Sequence, residues 1–147
     1  MYLAHLLLNT NQLHGTIPSE LGQCNHLNSL SLNNNMLSGT LASELGSFPS
    51  LQRIYLSTNQ LEGTLPKQMT RMTTLQIVDF AYNRFTGSML DVNSWTSLSS
   101  LGLDNNNFDG TLGLLSPSMT EFIANNNSVL QTCLLDPSLN FNFHDIN

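Results

Sequence analysis

Residues 51–66 read LQRIYLSTNQLEGTLP. Apolar side chains fall at Leu51, Ile54, Leu56 and Leu61. Asn59 follows Leu56 by three positions, Gly63 follows Leu61 by two, and Leu65-Pro66 closes the phrase. Written as a pattern, this is L-x-x-L-x-L-x-x-N-x-L-x-G-x-L-P. A phrase of this kind prompts a search for internal repeats before any other reading.

The phrase recurs along nearly the whole chain. Its first apolar position is held by Leu3, Leu27, Leu51, Leu75, Leu98 and Met119, at three steps of 24 residues and then steps of 23 and 21. The second is held by Leu6, Leu30, Ile54, Val78, Leu101 and Phe122, and the third by Leu8, Leu32, Leu56, Phe80, Leu103 and Ala124. An asparagine column follows: Asn11, Asn35, Asn59, Asn83, Asn106 and Asn127. Glycines recur at Gly15, Gly39, Gly63, Gly87 and Gly110, and the column fails at Gln131.

The x-x-L-x-L-x-x part of each row predicts a short strand, with alternate side chains facing inward. One row cannot bury its apolar face alone, so neighbouring rows must stack into a continuous core. The asparagine side chain has two donors and an acceptor with which to tie backbone groups together. The glycines supply backbone freedom where the chain bends back.

These rows resemble the leucine-rich repeat family, and the L-x-G-x-[IL]-P ending resembles its plant-type subclass. The resemblance covers Leu3 to Val129. It implies a leucine-rich repeat solenoid, an α/β-type repeat horseshoe. Its concave face is a parallel β-sheet of about six short strands, and its convex side is irregular or 3-10. It also implies that the asparagine column bridges the backbones of adjacent turns. Residues 1–130 are read as the repeats and 131–147 as a degenerate repeat or a C-terminal cap. The chain opens in repeat register, without the family's N-terminal cap cysteines. The expectation is therefore a piece of a longer protein or a truncated gene model.

Charge excludes several functions. Only 10% of the 147 residues are charged and the net charge is −6, with Arg53, Lys67, Arg71 and Arg84 the only Lys and Arg. Nucleic acid and anionic membrane surfaces call for clustered Lys and Arg, which are missing. No apolar run approaches the roughly 18 residues of a membrane span. Catalysis finds no support either. His5, His14, His26 and His144 have no metal-ligand spacing. No Ser, His and acid converge in the aligned rows, and no G-x-G-x-x-G phosphate loop occurs. No cofactor, metal or catalytic residue is expected in this chain, although a kinase domain lying outside it is compatible with the resemblance.

The outward strand positions are the surface that this family presents to ligands. There Arg53, Tyr55, Asp79, Tyr82 and Asp104 cluster on adjacent rows, with Glu121 nearby, and Gly102 leaves a dip beside Tyr55 and Asp79. Tyr and Arg are frequent interface anchors. The competing reading is a set of ordinary exposed residues on a generic array. The resemblance implies a non-catalytic module binding a protein or peptide, part of an extracellular or cell-surface receptor-like signalling protein. The alternative is a secreted carbohydrate- or ice-surface binder using the hydroxyl column Thr16, Thr40, Thr64, Ser88 and Thr111. One glycosylation triplet, Asn126-Asn127-Ser128, is also present.

The two cysteines, Cys24 and Cys133, lie about four rows apart. At ~4.8 Å per row that is ~20 Å, whereas a disulfide needs Cα atoms within about 7 Å. Thiol titration of the unfolded, unreduced protein is expected to find both cysteines free. A Cys24–Cys133 crosslink in non-reducing mass spectrometry would overturn the row spacing.

Overall fold

The computed structural model describes residues 2–112, 118–127 and 129–132. Each row begins with a three-residue strand: β1 His5–Leu7, β3 Ser29–Ser31, β5 Arg53–Tyr55, β7 Ile77–Asp79, β9 Ser100–Gly102 and β11 Glu121–Ile123. They pair in parallel, in the order β1-β3-β5-β7-β9-β11. The register runs Leu6, Leu30, Ile54, Val78, Leu101, Phe122, which is the second apolar column.

Five of these six residues are buried and Leu6 is half-buried. Leu27, Leu51, Leu75 and Leu98 are fully enclosed behind them. Each is worth about 1.5–3 kcal/mol over an exposed position. Phe80, Phe85 and Phe108 continue the core across the middle rows, with ring centroids 5.6 and 5.9 Å apart. Trp95 packs fully buried on the convex side, and its indole N–H donates to the Met69 carbonyl at 2.8 Å.

The convex side carries 3-10 segments at Ser19–Gln23, Ser43–Gly46, Lys67–Arg71 and Val92–Ser94. Gly46 explains how closely these stack: a Cβ there would stand 2.6 Å from the Met69 backbone nitrogen. Cys24 packs half-buried against the core as a free thiol. Cys133, His144 and the rest of 133–147 lie outside the described residues.

The return leg holds something the sequence pattern did not announce. A second parallel sheet runs down it, formed by β2 His14–Gly15, β4 Met36–Gly39, β6 Gln60–Gly63, β8 Arg84–Ser88, β10 Asn107–Leu112 and β12 Val129–Thr132. Leu61, Phe85 and Phe108 point into the core from it. Gly63 has φ +76, and a Cβ added there would meet the Thr40 methyl at 2.8 Å. The glycine is required twice over, by the left-handed backbone and by the threonine of the preceding row.

The asparagine column locks successive rows together. Asn59 Oδ1 accepts from the Leu37 N–H at 2.9 Å in the row before. Its Nδ2 donates to the carbonyls of Leu32 in that row and of Leu56 and Ser57 in its own, at 3.0, 3.0 and 3.3 Å. Asn35, Asn83, Asn106 and Asn127 repeat the same four contacts. The Asn11 side chain, in the first row, bonds among the described residues only to the Leu8 and Asn9 carbonyls of its own row. That end is open: Leu8 and Leu13 are 38% and 37% exposed.

The residue before each ladder asparagine sits in the left-handed region. Thr10, Asn34, Thr58, Tyr82, Asn105 and Asn126 have φ between 54° and 56°. Asparagine tolerates this conformation, whereas a β-branched or bulky residue is strained by it.

Two stability predictions follow from these contacts. Asn59→Ala takes the acceptor from the Leu37 N–H and one donor from each of the Leu32, Leu56 and Ser57 carbonyls, so it is expected to cost about 1–3 kcal/mol by denaturant titration. An unchanged midpoint would contradict the ladder. Thr58→Asn keeps a side chain that three other rows already use and relieves strain, so it is expected to stabilise by up to about 1 kcal/mol. A lowered midpoint would refute that account of the turn.

Candidate functional site

The outward columns of the concave sheet follow from its register. One runs His5, Ser29, Arg53, Ile77, Ser100, Glu121 and the other Leu7, Ser31, Tyr55, Asp79, Gly102, Ile123. Strands ~4.8 Å apart bring residues 21 to 24 positions apart in sequence side by side.

A depression of about 380 Å³ lies over these columns. It is lined by Tyr55, Ile77, Asp79, Ser100, Leu101, Gly102, Asp104, Glu121 and Ile123. Four of the six residues singled out from sequence therefore share one concavity: Tyr55, Asp79, Asp104 and Glu121. Arg53 lies in register with Ser29 and Ile77 and is half-buried, outside the lining. Tyr82 stands on the left-handed turn, 57% exposed, also outside it. Ile77, Ser100 and Ile123 also line the depression; strand alternation puts them on this face, but they were not singled out from sequence. The available signal was isoleucine at outward positions in a chain that mostly puts polar residues there.

Gly102 creates the dip. A Cβ at that position would stand 3.1 Å from Asp79 Oδ1, so any side chain there would crowd the carboxylate and fill the floor. Asp79 is held in place by two donors: the Ser57 hydroxyl at 2.6 Å and the Ala81 N–H at 3.2 Å. Ser100 donates to Glu121 Oε2 at 2.8 Å, and the Asn105 amide donates to Asp104 Oδ2 at 2.7 Å. These bonds orient the three carboxylates without neutralising them. The lining contains no Lys, Arg or His. The result is a concavity with a tyrosine and two isoleucines on its walls and negative charge left uncompensated within it.

The hydroxyl column occupies a different surface, the second sheet. Thr16, Thr40, Thr64 and Ser88 are exposed. Each threonine turns its methyl toward the glycine of the next row. Ser88 donates to Asp109 Oδ1 at 3.2 Å. Exposed charges flank the column at Glu62, Arg84 and Asp109.

His5, His14 and His26 are exposed, and none lines the depression. Among the described residues no group of three or more His, Cys, Asp and Glu is placed to hold a metal ion. Among them, too, no helix is long and apolar enough to cross a membrane.

Comparison with known proteins agrees with this architecture. The family model for the Leucine Rich Repeat matches residues 2–24, 26–48 and 50–72. No curated protein matches the chain. Among solved structures, PEPR1 bound to AtPEP1 superposes with a TM-score of 0.81 at 27% identity, over 92% of this chain and 21% of that one. The ectodomain of the plant membrane receptor kinase GASSHO1/SCHENGEN3 from Arabidopsis thaliana, in complex with CASPARIAN STRIP INTEGRITY FACTOR 2, gives 0.79 at 26%, over 90% and 18%. A plant ice-binding protein gives 0.76 at 29%, over 90% and 48%. The chain thus spans about a fifth of the two receptors' length and half of the third protein's. With its register, two parallel sheets and asparagine ladder, the chain is folded as a leucine-rich repeat solenoid, and its repeats resemble those of the plant receptor ectodomains.

Proposed function

We propose that this chain is a non-catalytic binding module of an extracellular, receptor-like protein, and that its concave depression takes a neutral or basic polypeptide. The observation that carries the proposal is the lining itself. Asp79, Asp104 and Glu121 surround one concavity with no basic residue among its walls. Uncompensated charge of one sign attracts and orients a ligand of the other. Tyr55, Ile77 and Ile123 supply apolar contact for an aliphatic or aromatic side chain, and Tyr82 and Arg53 stand outside as rim contacts. Two similar structures hold a bound partner, AtPEP1 on PEPR1 and CASPARIAN STRIP INTEGRITY FACTOR 2 on GASSHO1/SCHENGEN3. The mechanism is rigid presentation: the ladder fixes the rows, and the Ser57, Ala81, Ser100 and Asn105 donors orient the carboxylates before the ligand arrives, so little ordering entropy is lost on binding.

A second reading rests on the similarity to a plant ice-binding protein and on the exposed threonines. It makes the second sheet a binder of ice or cell-wall polysaccharide. The local chemistry favours it less. Ser88 already spends its hydroxyl proton on Asp109, and the exposed charges of Glu62, Arg84 and Asp109 flank the column.

Peptides selected from a display library against the purified chain are expected to be neutral or basic. Tyr55→Ala should weaken their binding by at least about 1–2 kcal/mol in calorimetry. Asp104→Asn should weaken basic ligands more than neutral ones, with the difference shrinking in high salt. Bulkier residues at Thr40 and Thr64 should leave peptide binding unchanged. Binding to ice or polysaccharide that only the threonine variants lose would refute the concave-face reading and establish the second.

A further inference from the structure

We infer that Asn126 is an acceptor for an N-linked glycan. Asn125, Asn126 and Asn127 follow one another at the end of row six, and the structure gives them different chemistry. Asn127 is the ladder residue, its amide engaged by the Phe108 N–H and by three carbonyls. Asn125 is half-buried, with its Oδ1 enclosed. Asn126 is exposed, at φ 54, on the turn that carries its side chain away from the core. Its Nδ2 donates to Asn105 Oδ1 at 2.9 Å, a surface bond that water replaces at little cost.

The equivalent turn positions are Thr10, Asn34, Thr58, Tyr82 and Asn105. Asn34 and Asn105 present the same amide but are followed two residues on by Met36 and Asn107. Only Asn126 has a hydroxyl residue there, Ser128, and no other N-x-[ST] triplet occurs in the 147 residues. Ser128 lies outside the described residues, so its part is read from sequence alone.

The transfer balances with one co-reactant, an oligosaccharide joined to a polyprenyl diphosphate lipid. The Asn126 Nδ2 forms a bond to C1 of the first sugar. The bond from C1 to the diphosphate oxygen breaks, the lipid diphosphate leaves with its electron pair, and the amide nitrogen loses one proton. One N–H remains on Asn126. The glycan would stand three residues beyond Ile123, at the row-six end of the concave face, and leave the earlier rows bare. A ligand would then approach the depression from the side of those rows. The inference rests on the extracellular reading only in that the chain must meet the transferase.

The full chain behind a secretion leader, translated with endoplasmic-reticulum microsomes, tests the site. Protease protection identifies imported chains. These are expected to gain one glycan that an N-glycan-specific glycosidase removes. The gain should be lost in Asn126→Gln and Ser128→Ala and kept in Ser128→Thr. An Asp109→Thr control, which creates a second triplet beginning at Asn107, should add another. Imported wild-type chains without a glycan would overturn the inference, as would a glycan that persists in Asn126→Gln. The native protein, isolated from its source and found unmodified although the microsomal chain is glycosylated, would overturn the extracellular reading instead.

Discussion

The asparagine ladder is the interaction on which the remaining structure depends. A solenoid has no distant contacts to hold its rows in register, so each row must be fixed by its neighbours. Apolar stacking alone is non-directional and would let one row slide along the next. Asn35, Asn59, Asn83, Asn106 and Asn127 prevent that. Each spends its oxygen on the preceding row and divides its donors between two rows. The groups they satisfy are interior backbone groups at the end of each strand, where sheet hydrogen bonds run out and an unpaired group is costly.

Several other features follow from it. The chain must turn sharply to bring an asparagine side chain back under its own strand, and the left-handed residue before it makes that turn. Asn fills that position in rows two, five and six, while Thr and Tyr fill it elsewhere at a steric cost. Beyond the ladder the chain runs straight enough to pair again, and the second sheet forms. There the glycine and threonine columns share one explanation. The left-handed glycine lacks a side chain, and the threonine methyl of the row before covers it. Most of the threonine repetition thus has a packing cause that needs no ligand.

Rigidity of this kind suits recognition rather than turnover. A rigid concave sheet lets residues from four rows contribute one to three side chains each to a shared concavity. Tyr55, Asp79, Gly102 and Ile123 come from four different strands yet occupy a single column. A change at any of them alters the surface without touching the ladder or the core. Such a scaffold can exchange its ligand while keeping its fold.

The repeat period and its apolar columns determined the solenoid, the parallel concave sheet, the inward set and the ladder positions. A side chain that recurs every 24 residues at strand spacing has one way to be buried in every row. The concave residues were also legible as a face, because alternation along a strand assigns each to one side. Tertiary structure decided the rest. The second sheet depends on how closely the return legs approach, which the 3-10 turns and Gly46 set rather than any local strand propensity. The depression depends on absent atoms at Gly102 beside Asp79, a cross-strand relation. Arg53 and Tyr82 were near the site in sequence register but fall outside its lining. Tyr82 does so because the left-handed turn places it beyond the end of the strand, where alternation no longer predicts direction.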